Sequence, residues 1–223
     1  MADYNPTIAE LLFYGITEKT GMEIVIGGLF LPLWPIGVIA LDVAVVVRWR
    51  QTHHLPRVFC LMIFGLYLLL ILDKVFFPIV VSVVPTVRLW ELPPSLFINL
   101  IPFNFDFSQL PAQMFQQVFL NVLLTVPFGF GISFVTPFSS RRIVWLALAL
   151  GLSFELGQLV ISVLLTYPYR IIDVNDVLLN ALGVLIGYGM FRVFAWMYAW
   201  VMRRVGIERR GLGGYVYEVA SRA

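Results

Sequence analysis

The chain has 223 residues, 60% hydrophobic and 13% charged, with a formal net charge of +2 and a mean hydropathy of +0.90. An ordinary soluble domain carries about 25% charged residues, so this composition excludes one and reads as an all-α polytopic membrane bundle. The single cysteine, Cys60, excludes an internal disulfide and a thiolate metal cluster.

The N-terminus places Asp3, Glu10 and Glu18 before the first apolar run and lacks the basic flank of a cleaved signal peptide. The first span is therefore expected to stay in the membrane. Windows of about 19 residues predict five transmembrane helices, near 24–47, 58–84, 115–136, 143–165 and 176–202. Pro32 and Pro35 can kink the first, which carries Asp42 near its far end. The second holds Asp73 and Lys74, and Pro78 is expected to end its spanning part near Phe77, leaving Ile79 to Val87 along the interface.

Leu89 to Gln113 follows, with Pro93-Pro94, Asn99 to Phe103, Asn104 and Asp106. Its prolines, asparagines and aromatics suit a hairpin folded back over the bundle, with Asn99, Asn104 and Asp106 as turn formers. The third span carries Gln117 and Asn121 near its outer end and Pro127 and Gly129 lower down. The tail, Gly211 to Ala223, is glycine-rich at its start and weakly patterned, and is expected to have little fixed structure.

Orientation follows from the basic residues. Ten of the fifteen fall on one side: Arg48, Arg50, Arg57, Arg141, Arg142, Arg203, Arg204, Arg209, Arg210 and Arg222. The positive-inside rule then predicts an external N-terminus and a cytoplasmic C-terminus. The basic residues form short clusters at membrane ends, which argues against nucleic-acid binding. No glycine-rich phosphate loop opens a cytoplasmic helix. The only histidines, His53 and His54, lie in a cytoplasmic loop, so histidine-based nucleophilic catalysis on the outer side is disfavoured.

Chemistry concentrates between Ser153 and Gly187. Glu155, Gln158 and Ser162 share one face of the fourth span, and Asp176, Asn180, Gly183 and Gly187 line one stripe of the fifth. A charge at mid-helix costs about 2.5 to 3.5 kcal/mol on insertion scales, so the polar groups are expected to face one another in an outward pocket. At 1.5 Å per residue Asn180 lies ~6 Å below the outer end of its span, Gln158 ~10 Å and Glu155 ~15 Å. Gly183 and Gly187, four residues apart, read as helix packing. Arg170, Asp173 and Asp176 connect the two spans. Two carboxylates suit protons or a hard cation, and arginine suits a phosphate. No metal or cofactor is specified by these residues.

Four blocks carry a resemblance: Asn99-Leu100-Ile101-Pro102-Phe103; Asn121-Val122-Leu123-Leu124 with Pro127-Phe128-Gly129-Phe130; Ser153 to Gln158; and Arg170 to Asn180 with Gly183 and Gly187. In this order, over roughly 99–190, they resemble the VanZ-like family. The resemblance implies a small polytopic membrane protein of the kind linked to low-level teicoplanin resistance, and it marks Asn99, Asn121, Glu155, Gln158, Arg170, Asp173, Asp176 and Asn180. It divides the chain into an N-terminal segment (1–98), a VanZ-like membrane domain (99–190) and a last half-span with its tail (191–223).

The leading expectation is a pocket in a bacterial cytoplasmic membrane protein that recognises a membrane lipid or a lipid-linked, wall-related anionic molecule. Glu155, Asp173 and Asp176 would take protons or a cation, and Arg170, with Lys74, would attract phosphate. Gln158, Asn121, Asn180 and Asn99 would orient the ligand. Two alternatives stay open: the carboxylates perform acid and base chemistry on an outer-leaflet head group, or the protein is a non-catalytic partner of another membrane protein.

Overall fold

The computed structural model describes residues 23–26, 55–82, 88–104, 111–205 and 211–222, with helical positions at 37, 43 and 47. Among them, four helices are long and apolar enough to cross a membrane. Helix α1 (Leu55–Phe76) ends where Pro78 withdraws a backbone donor. Helix α2 (Pro111–Val135) begins on a proline, tolerated in a first turn whose N–H groups have no intrahelical acceptor, and continues through Pro127. Helix α3 (Ser140–Leu165) stops at Thr166, which adopts the left-handed conformation with φ 64°. Helix α4 (Val174–Val205) has 32 residues, about 48 Å at 1.5 Å per residue, and so exceeds a hydrocarbon layer of about 30 Å. These four match the last four spans expected from hydropathy, and the molecule is a multi-pass membrane helical bundle. The first expected span, 24–47, lies largely outside the described residues.

Helix α4 is the centre of the bundle, with α2 and α3 against it. Its contact with α2 is made by backbone on backbone. A Cβ at Gly183 or Gly187 would overlap the carbonyl oxygens of Val122 and Val126, and one at Gly129 would overlap that of Val184. Small residues allow this approach, and dispersion across the seam replaces the hydrophobic drive that lipid cannot supply. Phe64, Phe128, Ile143, Ala147, Ala181 and Val184 form the adjoining core. Large apolar side chains such as Trp145, Leu164 and Trp196 point outward, as expected for surfaces that meet acyl chains.

Two expectations are corrected. The tail is not weakly structured: Gly211–Ser221 is a helix, α5, which folds back against α4. Val219 and Ala220 bury themselves near Phe191, Ala195 and Ala199. Tyr215 Oη donates to Phe134 O, and Tyr198 Oη donates to Gly213 O at 3.2 Å. Burial of one face here outweighs the poor helix propensity of three glycines. The bounds of the first two expected spans also differ, because Ile79–Ser82 (β2), inside the 58–84 window, pairs antiparallel with Glu23–Ile26 (β1), at the start of the 24–47 window. Both are rich in β-branched residues, which favour extended backbone over a helical start at position 24.

Candidate functional site

The segment before α2 folds into two 3₁₀ turns, Leu89–Glu91 and Pro94–Leu96, and a short strand β3 (Ile98–Asn99). That strand pairs in parallel with β4 (Ile172–Asp173), setting Asn99 beside Asp173. Asn99 Nδ2 donates to Asp173 Oδ1 and to Asn104 O, both at 3.0 Å, while its Oδ1 accepts from Ile101 N–H at 3.2 Å. Asn99 is therefore both a turn former and a tie to the α3–α4 connection.

Asp173 stands immediately before α4 and caps it: its Oδ1 accepts the Asn175 N–H at 2.8 Å. Such a cap satisfies one of the donors that a helix start leaves open. Asn175 then reaches back, accepting from Phe103 N–H at 2.6 Å and donating to Asn104 O at 3.2 Å. Phe103 has φ 62°, a region that costs a non-glycine residue about 1 to 3 kcal/mol unless its surroundings hold it. The two bonds from Asn175 hold it.

At the next position of α4, Asp176 Oδ1 accepts from Asn121 Nδ2 of α2 at 2.5 Å, and Gln117 also bonds this carboxylate. Between these elements lies a cavity of about 420 Å³. Its amide and carboxylate groups come from Asn99, Asn104, Gln117, Asp173, Asn175 and Asp176. The start of α4 would attract anions through its dipole, but two carboxylates already occupy it. What remains inside is a set of acceptor oxygens flanked by amides, suited to hydroxyl, amide or ammonium donors. Outside, Trp90, Leu100, Ile101 and Phe103 are more than 60% exposed and give the segment an apolar rim.

The other residues expected to form the pocket lie behind or beside this cavity rather than on its wall. Glu155 is 3% exposed, and its Oε2 accepts the Asp173 N–H at 2.9 Å, so it supports the wall from behind. Gln158 Nε2 donates to Val75 O at 3.2 Å and Arg170 Nη2 to Phe77 O at 3.4 Å. These carbonyls lie in and just past the last turn of α1, where the helix ends and supplies no further donors. Arg170 also stacks on Tyr169, with 5.8 Å to the ring centroid. Burial pushes the Tyr169 phenol above its usual value; Arg170 partly offsets this and Glu155 adds to it.

Asn180 lies below the cavity, its Nδ2 donating to Asp176 O at 2.8 Å and its own carbonyl accepting from Thr125 Oγ1 at 2.7 Å. Lys74 is exposed on α1 and is not part of the wall. The structure thus brings Asn99, Glu155 and Asp173 into one hydrogen-bonded group and Asn121, Asp176 and Asn180 into a second, and turns Gln158 and Arg170 toward α1. Among the described residues, no three His, Cys, Asp or Glu side chains group to hold a metal ion.

Asn175 and Gln117, both on the wall, carry no role in the sequence reading. The signal for Asn175 was present, since a capping aspartate at Asp173 places it in the first turn of α4. Gln117 lies one turn before Asn121 on α2, the position from which a side chain reaches the same partner.

The supporting role of Glu155 has a measurable consequence. Glu155→Gln keeps an oxygen for the Asp173 N–H, whereas Glu155→Ala leaves that half-buried donor without one, at a cost of about 1 kcal/mol or more. Thermal unfolding in detergent is expected to show a clear loss for alanine and a small one for glutamine. Equal losses in both would refute the supporting role.

The family model described as VanZ/LLP1 matches residues 30–195. The chain belongs to the VanZ/LLP1 family. No curated protein and no solved structure matches the chain. In this VanZ/LLP1 protein the matched range reaches back to residue 30, well before the motif blocks that begin at Asn99, and so includes α1 as well as α2, α3 and most of α4. The family assignment accordingly covers both the cavity wall and the helix whose last carbonyls Gln158 and Arg170 hold.

Proposed function

We propose that this VanZ/LLP1 protein binds the head group of a lipid-linked, wall-related precursor at the outer face of a bacterial cytoplasmic membrane, and so contributes to tolerance of teicoplanin-type glycopeptides. The observation that carries the reading is the 420 Å³ cavity walled by two carboxylates and four amides. Its acceptor oxygens suit the hydroxyl, amide and ammonium donors of a sugar or peptide. Arg170, half-buried next to the wall residue Ile171 and free of any ion pair among the described residues, suits the accompanying phosphate. The exposed apolar rim suits a ligand delivered from the bilayer, because aromatic and aliphatic side chains favour the interface. The asymmetry of basic residues supports an outward cavity.

The test is a titration of the purified full chain in lipid nanodiscs with a polyprenyl-diphosphate-linked sugar peptide, and separately with polyprenyl phosphate. Saturable binding of the first at a concentration at least tenfold lower is expected. Equal affinity for the two would sink the head-group reading. Mass spectrometry of the same samples distinguishes binding from conversion, and a new product would replace a binding role with an enzymatic one.

A further inference from the structure

The opposite end of the bundle holds a second cavity, of about 570 Å³, between the first turn of α1, the turn from α2 to α3, α4 and the returning helix α5. Its polar groups differ in kind from those of the first. Glu218 is already paired with Arg222. The hydroxyls of Tyr188 and Tyr215 donate to the carbonyls of Phe138 and Phe134.

Arg57 is left with little. It is half-buried, makes one bond to Val135 O at 3.4 Å, and has no ion pair among the described residues. It also sits in the first turn of α1, where the helix dipole disfavours a cation. A guanidinium has five N–H donors, and a partly desolvated one calls for an anion. On the same wall Ser133 is 7% exposed, and its Oγ has no hydrogen-bond partner among the described residues. Phe134, Phe191 and Val219 supply an apolar side.

We infer that this cavity binds the phosphate of an anionic membrane lipid, with Arg57 holding the phosphate oxygens and the apolar side taking the start of an acyl chain. The surrounding end of the bundle carries Arg141, Arg142, Arg203 and Arg204. Such a basic end concentrates anionic lipid, and basic pockets between spanning helices are where phosphate head groups lodge. Because α5 forms one side of the cavity, an occupant also joins α5 to the bundle.

The experiment is native mass spectrometry of the purified full chain in detergent, supplied with phosphatidylglycerol or phosphatidylcholine of the same acyl composition. Retention of phosphatidylglycerol is expected to exceed that of phosphatidylcholine about tenfold, and Arg57→Gln to remove most of that preference. Arg88→Gln, which removes a charge from the opposite end of the bundle, is expected to change nothing. Equal retention of the two lipids, or an Arg57→Gln variant that matches wild type, would overturn the assignment. If Arg57→Gln does not yield monodisperse protein, Arg57→Lys decides: it keeps the charge but loses the bidentate fork, so retention should fall about threefold, and no fall would overturn the role of Arg57. Displacement of the lipid by inorganic phosphate at equal concentration would reassign the site to a soluble anion and overturn the lipid assignment.

Discussion

Replacing Gly187 by valine is expected to leave almost no folded protein in the membrane fraction. A Cβ there would overlap the carbonyl oxygen of Val126 and stand only 2.9 Å from Val126 C and Phe130 N. All three are backbone atoms, so no side chain can swing aside, and α2 must move from α4 by roughly an ångström or more. Overpacking costs about 1 to 3 kcal/mol where side chains can adjust, and more is expected here. The displacement also pulls on bonds that cross the same seam, from Asn121 to Asp176 and from Thr125 to Asn180 O. Gly189 provides the contrast, because a Cβ at that position meets nothing within 4 Å. Gly189→Val should therefore express and run as a single species on size-exclusion chromatography, while Gly187→Val should not. Wild-type behaviour of Gly187→Val would mean that the α2–α4 seam is looser than described.

Asp176→Asn is expected to weaken binding of the sugar-peptide ligand about ten- to a hundredfold while leaving protein levels unchanged. The exchange preserves size, and Asn121 can turn its amide to offer an oxygen where it now donates, so the α2–α4 contact survives. The loss is the charge. A charge-assisted hydrogen bond to ligand is worth about 1.5 to 3 kcal/mol, which converts to this range of affinity. Asp173→Asn is a less clean experiment, because Asp173 caps α4 and receives Asn99 as well as facing the cavity. The measurement pairs nanodisc titration with glycopeptide susceptibility of cells that express each variant. Undiminished affinity in Asp176→Asn would remove this carboxylate from the site, and undiminished tolerance despite lost affinity would separate the cavity from the phenotype.

Much of this site was legible before any coordinate. The Arg170 to Asn180 run, with Asn99 and Asn121, marked the residues that gather around the start of α4, because polar groups near a bilayer must find one another. The helical period placed Glu155, Gln158 and Ser162 on one face, and all three are buried. That period does not show what a buried face meets. Glu155 meets the N–H of Asp173, while Gln158, one turn away, meets a carbonyl of α1. A shared face therefore did not mean a shared pocket. Arg170 was read as a phosphate ligand from its type alone, and its side chain proved to donate to the Phe77 carbonyl, just past the end of α1.

By itself the sequence determined the membrane character of the chain, four of its spans within a few residues, the glycines of the α2–α4 seam and the polar blocks that identify the family. Each of these depends on hydrophobicity, spacing or residue size within one continuous stretch. Only the tertiary structure decided which carboxylates line a cavity and which stand behind it, that Asn175 holds a strained Phe103, and that a glycine-rich tail becomes a helix enclosing a second cavity. A side chain's partner is set by where a distant backbone N–H or carbonyl comes to rest, and that position arises from packing among helices rather than from the order of residues along any one of them.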